Sequence, residues 1–356
     1  MPIYVSGRRT PEVPPYEDWI GLHMNKKAIV LLSGGLDSIL ATKLMLEQGI
    51  EVLAVNFSAK LCMCGCKKTG ESAAQVAAKM LGVPLKTIDI TGDFIEIVKN
   101  PSHGYGANIN PCIDCKIYMF KHAKEMMDKE GASFLVTGEV LGERPMSQRM
   151  DALHMIEKAA GVKGILLRPL TAKNLDPTLP EKEGVVKREK LLDIRGRSRK
   201  PQMALAEKFG INKYPNPAGG CLLTDSGFAK RVKDAMKHGE FGADNLALLS
   251  IGRHFRLADG ARLVVGRDEE ENEILLSLAE TGDIVFELKD HEGPVSILRG
   301  KDIDRLVEFA AGTAAYHTKF REEKSIRMDY WKKDAADKET ISVKPASKEE
   351  IEQLRI

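Results

Sequence analysis

From Lys27 onward the apolar positions fall into two alternating rhythms. Short runs, Ala28–Leu32, Glu51–Phe57, Leu85–Ile90 and Phe134–Thr137, have the length and β-branched content of buried strands. Between them run helical patterns, Ser38–Gln48, Glu71–Leu81 and Cys115–Lys129, ended by Gly49, Gly82 and Gly131. This alternation predicts an α/β fold: a parallel twisted sheet with helices on both faces, whose ligands sit outside the carboxyl ends of the strands. Past about Phe241 the rhythm changes. Ile251–Leu257, Arg262–Arg267, Asp283–Leu288 and Val295–Leu298 read as strands, with a helix over Asp268–Leu278 opened by an acidic run.

The pattern divides the chain into four parts. Residues 1–26, with Pro2, Pro11, Pro14 and Pro15 and no periodicity, are expected to be an extended arm, or an artefact if translation begins at Met24. Residues 27–235 form the α/β domain, 236–330 a smaller α+β domain, and 331–356 a charged tail ending in a helix over Lys348–Arg355.

Composition narrows the class. Lys+Arg 53 against Asp+Glu 51 leaves a formal charge of +2, so any surface for nucleic acid has to be a local patch. Nothing approaches a membrane-spanning apolar run and no secretory signal pattern opens the chain, so a cytoplasmic protein without a membrane partner is expected. Six cysteines in that setting point to metal or sulfur chemistry rather than to structural disulfides.

The stretch with the most chemistry is Ser33-Gly34-Gly35-Leu36-Asp37-Ser38, between the first strand and the first helix. Glycines let anionic oxygens approach the backbone, the helix start offers N–H groups, and the hydroxyls of Ser33 and Ser38 add donors. Asp37 is placed to hold a Mg²⁺ at a departing pyrophosphate. Neither Gly-x-x-x-x-Gly-Lys-Ser/Thr nor Gly-x-Gly-x-x-Gly is present, which excludes the γ-phosphate loop and the dinucleotide fingerprint. Asn56 and Phe57 at the end of the second strand would make a wall for adenine. Thr137–Arg149, with Gly138 near its start, carries polar groups towards the same edge.

The cysteines fall in three places. Cys62, Cys64 and Cys66, spaced by two, read as a second metal site or a sulfur relay. A long Gly/Asn/Pro loop over 99–111 delivers Cys112 and Cys115 to a helix start, where thiols are expected to be readily ionised. That Cys-x-x-Cys pair by itself suits zinc, redox or cluster use. Cys221, in a Gly-Gly-Cys turn, would bring a third thiol to the pair. Arg168, Arg197 and Arg199 add cations for phosphates or RNA, or else a solvated surface.

With the loop, the Cys112/Cys115 pair and Cys221 in hand, residues 27 to about 230 resemble the tRNA thiouridine synthetases, PP-loop ATP pyrophosphatases that replace a uridine oxygen with sulfur. The resemblance implies an adenine nucleotide α-hydrolase-like sheet, with ATP phosphates on Ser33–Ser38 and Mg²⁺ at Asp37. It implies catalytic roles for Asp37, Cys112 and Cys221, with Cys112, Cys115 and Cys221 holding a [4Fe–4S] cluster; zinc is the alternative metal. It further implies tRNA as partner, sulfide or a persulfide-carrying protein as sulfur donor, and room for a homodimer. A route without a cluster, through a cysteine persulfide resolved as a disulfide, stays open. So do a deazaguanine nitrile synthase, whose four cysteines are closely spaced unlike these, a thiouracil desulfidase, and a non-catalytic RNA-binding protein. Around Gly252–Phe255 and Val264–Asn272 the second half is similar to the NFACT-type RNA-binding module, with Arg253, Arg256, Arg262 and Arg267 as candidate phosphate contacts.

Overall fold

A computed structural model describes residues 24–59, 71–214, 221–335 and 337–356. Cys62, Cys64, Cys66 and most of the N-terminal arm lie outside these residues. The first unit holds β1 (Lys27–Leu31), β2 (Glu51–Ser58), β3 (Leu85–Asp89), β4 (Phe134–Val136) and β5 (Leu166–Leu167) in the order β3-β2-β1-β4-β5. Every pairing is parallel. The helices are α1 (Leu36–Leu46), α2 (Ala73–Leu81), α3 (Thr91–Lys99), α4 (Cys112–Glu130), α5 (Met150–Ala160), α6 (Leu179–Lys182) and α7 (Lys200–Lys208).

Residue alternation along β1 explains why both faces are covered. Ala28 and Val30 turn to one side and pack with α1, α2 and α7; Ile29 turns to the other and packs with α4 and α5. Because the strand order reverses between β1 and β4, a crevice opens at their carboxyl ends, which is where such sheets bind ligands.

The second unit is a six-stranded antiparallel sheet in the order β11-β10-β8-β9-β7-β6. Its strands are β6 (Arg253–Ala258), β7 (Ala261–Val265), β8 (Ile284–Leu288), β9 (Ser296–Gly300), β10 (Ile326–Lys332) and β11 (Glu339–Val343). Its helices are α10 (Glu269–Leu278), α11 (Val307–Ala315) and α12 (Lys348–Leu354). Between the two sheets lie α8 (Ser226–Lys237) and α9 (Ala243–Leu249). Phe228 and Val232 of α8 share a core with Phe94 of α3 and Leu246 of α9, so α8 belongs to the junction.

Three expectations are corrected here. The boundary expected at residue 235 falls inside α8. Residues 331–356 are not a separate tail: β11 pairs with β10, and Val343 and Ile351 are buried in the core of the sheet. Their exposed faces are charged, which hid the alternation. The long helix begins at Cys112 rather than Cys115, with Pro111 preceding it.

Candidate nucleotide and thiol site

Chain geometry builds the site from β1 outward. Gly34 adopts φ +80°, and a Cβ there would lie 2.3 Å from the backbone of Ala73 at the start of α2, so only glycine allows this turn. Ser38 Oγ donates to the Gly35 carbonyl (2.8 Å) and stands 3.2 Å from Ser33 Oγ. Gly138, just past β4, presses on the loop from below: a Cβ would meet the backbone of Asp37 and Ser38 at 2.5 Å. The Asn56 side chain donates to the Leu32 carbonyl (3.0 Å), tying β2 to the same turn.

These residues enclose a cavity of about 300 Å³. Ser33, Gly35, Leu36, Asp37, Ser38, Asn56, Phe57 and Gly138 all line it; Gly34 does not, and serves the turn. One wall is apolar, with Val55, Phe57, Met119 and Phe120. The other carries Lys116, Arg144 and Arg199 opposite the carboxylates Asp37, Glu139 and Glu143. An apolar slot beside a floor of charged and polar groups suits a base joined to a polyphosphate.

The charges on that floor are arranged in two groups. Arg199 bridges Asp37 and Glu143, 2.5 Å from an oxygen of each. Burial pushes Asp37 above the ordinary carboxylate range despite the Arg199 guanidinium, and the Gln202 amide lies beside it outside strict hydrogen-bond geometry. Burial, then the neighbouring Asp37 charge, raises Glu143 as well. In the second group Glu139 is held by Lys116 and by Arg168 Nε (2.8 Å), and Arg168 also pairs with Glu157. Burial alone would raise Glu139, but Lys116 and Arg168 outweigh it and keep the carboxyl ionised. Arg168 is therefore not the phosphate or surface cation expected from the chain; it is a fully buried strut.

Asp37 Oδ1 and Glu143 Oε2 are buried oxygens with no hydrogen-bond partner. Two such carboxylates above a phosphate loop fit a hard cation such as Mg²⁺.

The thiols lie beside this cavity. Cys112 Sγ donates to the buried Ser147 hydroxyl (3.0 Å), the residue before Gln148 in the cavity wall. Cys115 precedes Lys116, also in the wall, and packs against the same core as Leu222 and Leu223, which follow Cys221 in the chain. The 99–111 loop is stitched to that segment by Asn108 Nδ2 donating to the Thr224 carbonyl (2.7 Å). Cys115 feels the charges of both Cys112 and Cys221, and burial, with those neighbours, pushes its thiol up to about 12. The expectation of a readily ionised Cys115 thus fails: burial outweighs its place at a helix start. Among the described residues no group of three side chains is near enough to grip a single metal ion.

Sequence reasoning did not assign Lys116, Glu139, Glu143, Arg144, Gln148 or Gln202 to the site. Glu143 through Gln148 lie in the polar stretch after β4, but Lys116 and Gln202 face their partners only once α4 and α7 are packed.

A glycine-and-serine anion loop at the reversal point of a parallel sheet, opening on a base-and-polyphosphate cavity, defines a nucleotide-binding α/β domain. Residues 23–179 match the family model described as thiamine biosynthesis protein (ThiI), and residues 252–355 match the one described as NFACT protein RNA binding domain. A tRNA-specific 2-thiouridylase MnmA 2 of Thermoanaerobacter sp. (strain X514) is 28% identical over 243 residues, 62% of this chain and 63% of that protein. The chain therefore spans less than two thirds of that relative. A probable tRNA sulfurtransferase of Methanosarcina mazei is 34% identical over 123 residues, 33% of this chain and 29% of that one. Among solved structures, the U34-tRNA thiolase NcsA from Methanococcus maripaludis with its [4Fe-4S] cluster is 17% identical, covering 64% of this chain and 72% of that chain at a TM-score of 0.32, a likeness too slight to carry an argument.

Proposed function

We propose that this protein is an ATP-dependent tRNA sulfurtransferase that exchanges a uridine carbonyl oxygen for sulfur. The observation that carries it is a shared wall: Lys116 and Gln148 line the nucleotide cavity, while their chain neighbours Cys115 and Ser147 carry and contact the thiols. Nucleotide activation and sulfur delivery then act on one carbonyl group, the first at its oxygen and the second at its carbon. The names of the relatives, a 2-thiouridylase and a probable tRNA sulfurtransferase, support the same reading.

In this reading ATP lies with its base against Val55 and Phe57 and its phosphates on the Ser33–Ser38 loop. Lys116, Arg144 and Arg199 offset the phosphate charge, and Asp37 and Glu143 hold Mg²⁺. The uridine oxygen attacks the α-phosphorus and pyrophosphate leaves. Hydrosulfide then adds to the activated carbon, AMP departs with the oxygen, and one proton is released. A [4Fe–4S] cluster on Cys112, Cys115 and Cys221 would leave one iron open to carry the incoming sulfide. Ser147 orients Cys112, and the Lys116–Glu139–Arg168 chain fixes the α4 end of the cavity.

The test combines full-length protein, purified without oxygen, with unmodified tRNA, ATP and sulfide, followed by nucleoside mass spectrometry. Thiouridine should form with one equivalent of pyrophosphate. Asp37→Asn should lower both by about two to three orders of magnitude, the usual loss when a charge-stabilising contact is removed. Pyrophosphate without thiouridine, or neither, would overturn the proposal.

A further inference from the structure

The four arginines expected to meet RNA do not stand alike. Arg256 and Arg262 are consumed by Asp234 and Glu240 of the junction. Arg267 is half exposed and paired with Glu271. Arg253 has a different partner, donating from Nη1 to the Gly266 carbonyl (3.0 Å). Near it the structure gathers cations the sequence did not associate. Arg355 lies at the β6 edge, through a bridge to Phe255 and through the Ile356 amide donating to the His254 carbonyl (3.0 Å). Arg231, on α8, sits over the Phe228 ring at 5.7 Å with its Nε unpartnered. No carboxylate stands in ion-pair range of Arg231, Arg253 or Arg355 among the described residues.

Like charges crowd here. Burial and the Arg267 charge lower both Arg231 and Arg253, and Arg355 adds to the pressure on Arg253. His254, 2% exposed, has an unpartnered Nδ1 and is held neutral by burial and by Arg231. Asp225 and Glu271 offset part of this at Arg231, and Glu271 and Asp268 at Arg253, yet burial and the like charges outweigh them, and an anion would relieve the remainder. The Arg231 helix begins a few residues beyond Cys221 and packs in the core shared with α3 and α9.

We infer that Arg231, Arg253 and Arg355, with Arg267, form the docking site for the phosphate backbone of an RNA substrate at the junction of the two units. This rests on the reading of the chain as a tRNA enzyme. Phosphate oxygens would complete the compensation that Asp225, Asp268 and Glu271 supply only in part, and the paired Arg256 and Arg262 would act only as supports.

The experiment is filter binding of bulk tRNA to the full chain across a salt series. A triple variant, R231Q/R253Q/R355Q, should bind about a hundredfold more weakly near physiological salt, with the slope of log affinity against log salt reduced by about two to three. The corresponding triple lysine variant should keep the slope, and Arg355→Gln alone, at an exposed position, should lower it by about one. Thermal melting of each variant excludes misfolding as the cause. Unchanged affinity and slope in a folded triple variant would overturn the site while leaving the sulfurtransferase reading intact. Wild-type protein that binds tRNA through these arginines without thiolating it would sink that reading and support the site. Wild-type protein that binds no tRNA would sink both.

Discussion

Single residues show how burial decides charge in this molecule. Arg199 serves two carboxylates at once, so Asp37 and Glu143 are held with less compensation than a one-to-one pair would give. That leaves both primed to exchange part of their contact for a cation. The same logic with the opposite sign applies to His317. Burial, then Arg253 and Arg355, depress it from 6.5 to about 4. A histidine lowered in the folded state contributes stability above its unfolded value, and loses it as pH falls through the folded one. The denaturant midpoint of the wild type should therefore drop between pH 6.5 and about 4, and His317→Gln should flatten that drop. A variant with the same acid sensitivity as the wild type would assign the effect elsewhere. His317 packs at a tilt against the Phe255 ring (centroids 5.2 Å), so some stability will be lost at every pH; the slope is the readout.

At the scale of elements, the closing segments of the chain complete the second sheet. β11 pairs with β10 along five residues, from Ile326↔Val343 to Tyr330↔Glu339, and α12 is fastened by a Ser347/Glu350 capping box that buries Ile351. A chain ending at residue 330 would lose the end of β10, all of β11 and this helix. Two buried aliphatic side chains alone are worth on the order of 3–6 kcal/mol. Such a truncation should melt its second unit well below the full chain, or fail to fold it. Equal melting, followed by circular dichroism, would mean that these elements are appended and not integral. α4 makes a similar point for the site: by starting at Cys112 it carries Cys112, Cys115 and Lys116 within its first two turns, so thiols and cavity cation move as one body.

For the whole molecule, the junction is ionic at its centre. Arg256 and Arg262 from the second sheet meet Asp234 of α8 and Glu240 just beyond it, with Arg262 3% exposed. Removing one member of such a buried group leaves the others uncompensated and costs about 3–5 kcal/mol. Arg262→Ala should lower the denaturant midpoint accordingly, whereas Arg355→Gln should leave it nearly unchanged. A loss below about 1 kcal/mol for Arg262→Ala would show that water already compensates the network. The contrast separates arginines that hold the units together from those proposed to hold RNA, two roles that look the same along the chain.

The sequence by itself determined what is local in the chain: the strand–helix rhythm of the first unit, the Ser33–Ser38 turn, the Cys112/Cys115 pair at a helix start and the change of character after Phe241. Each is written in neighbouring residues, because periodicity and turn chemistry act over a few positions. Tertiary structure alone decided the partners of charge. Asp37 and Arg199 are 162 positions apart, and Lys116 meets Glu139 across the sheet edge, so no pattern of nearby residues announces either pair. The same holds for Arg168, which is a surface cation by composition and a buried strut by packing. Burial removes water from both members of a pair, and where each arginine found a carboxylate, or failed to, was settled only when the two sheets and α8 came together.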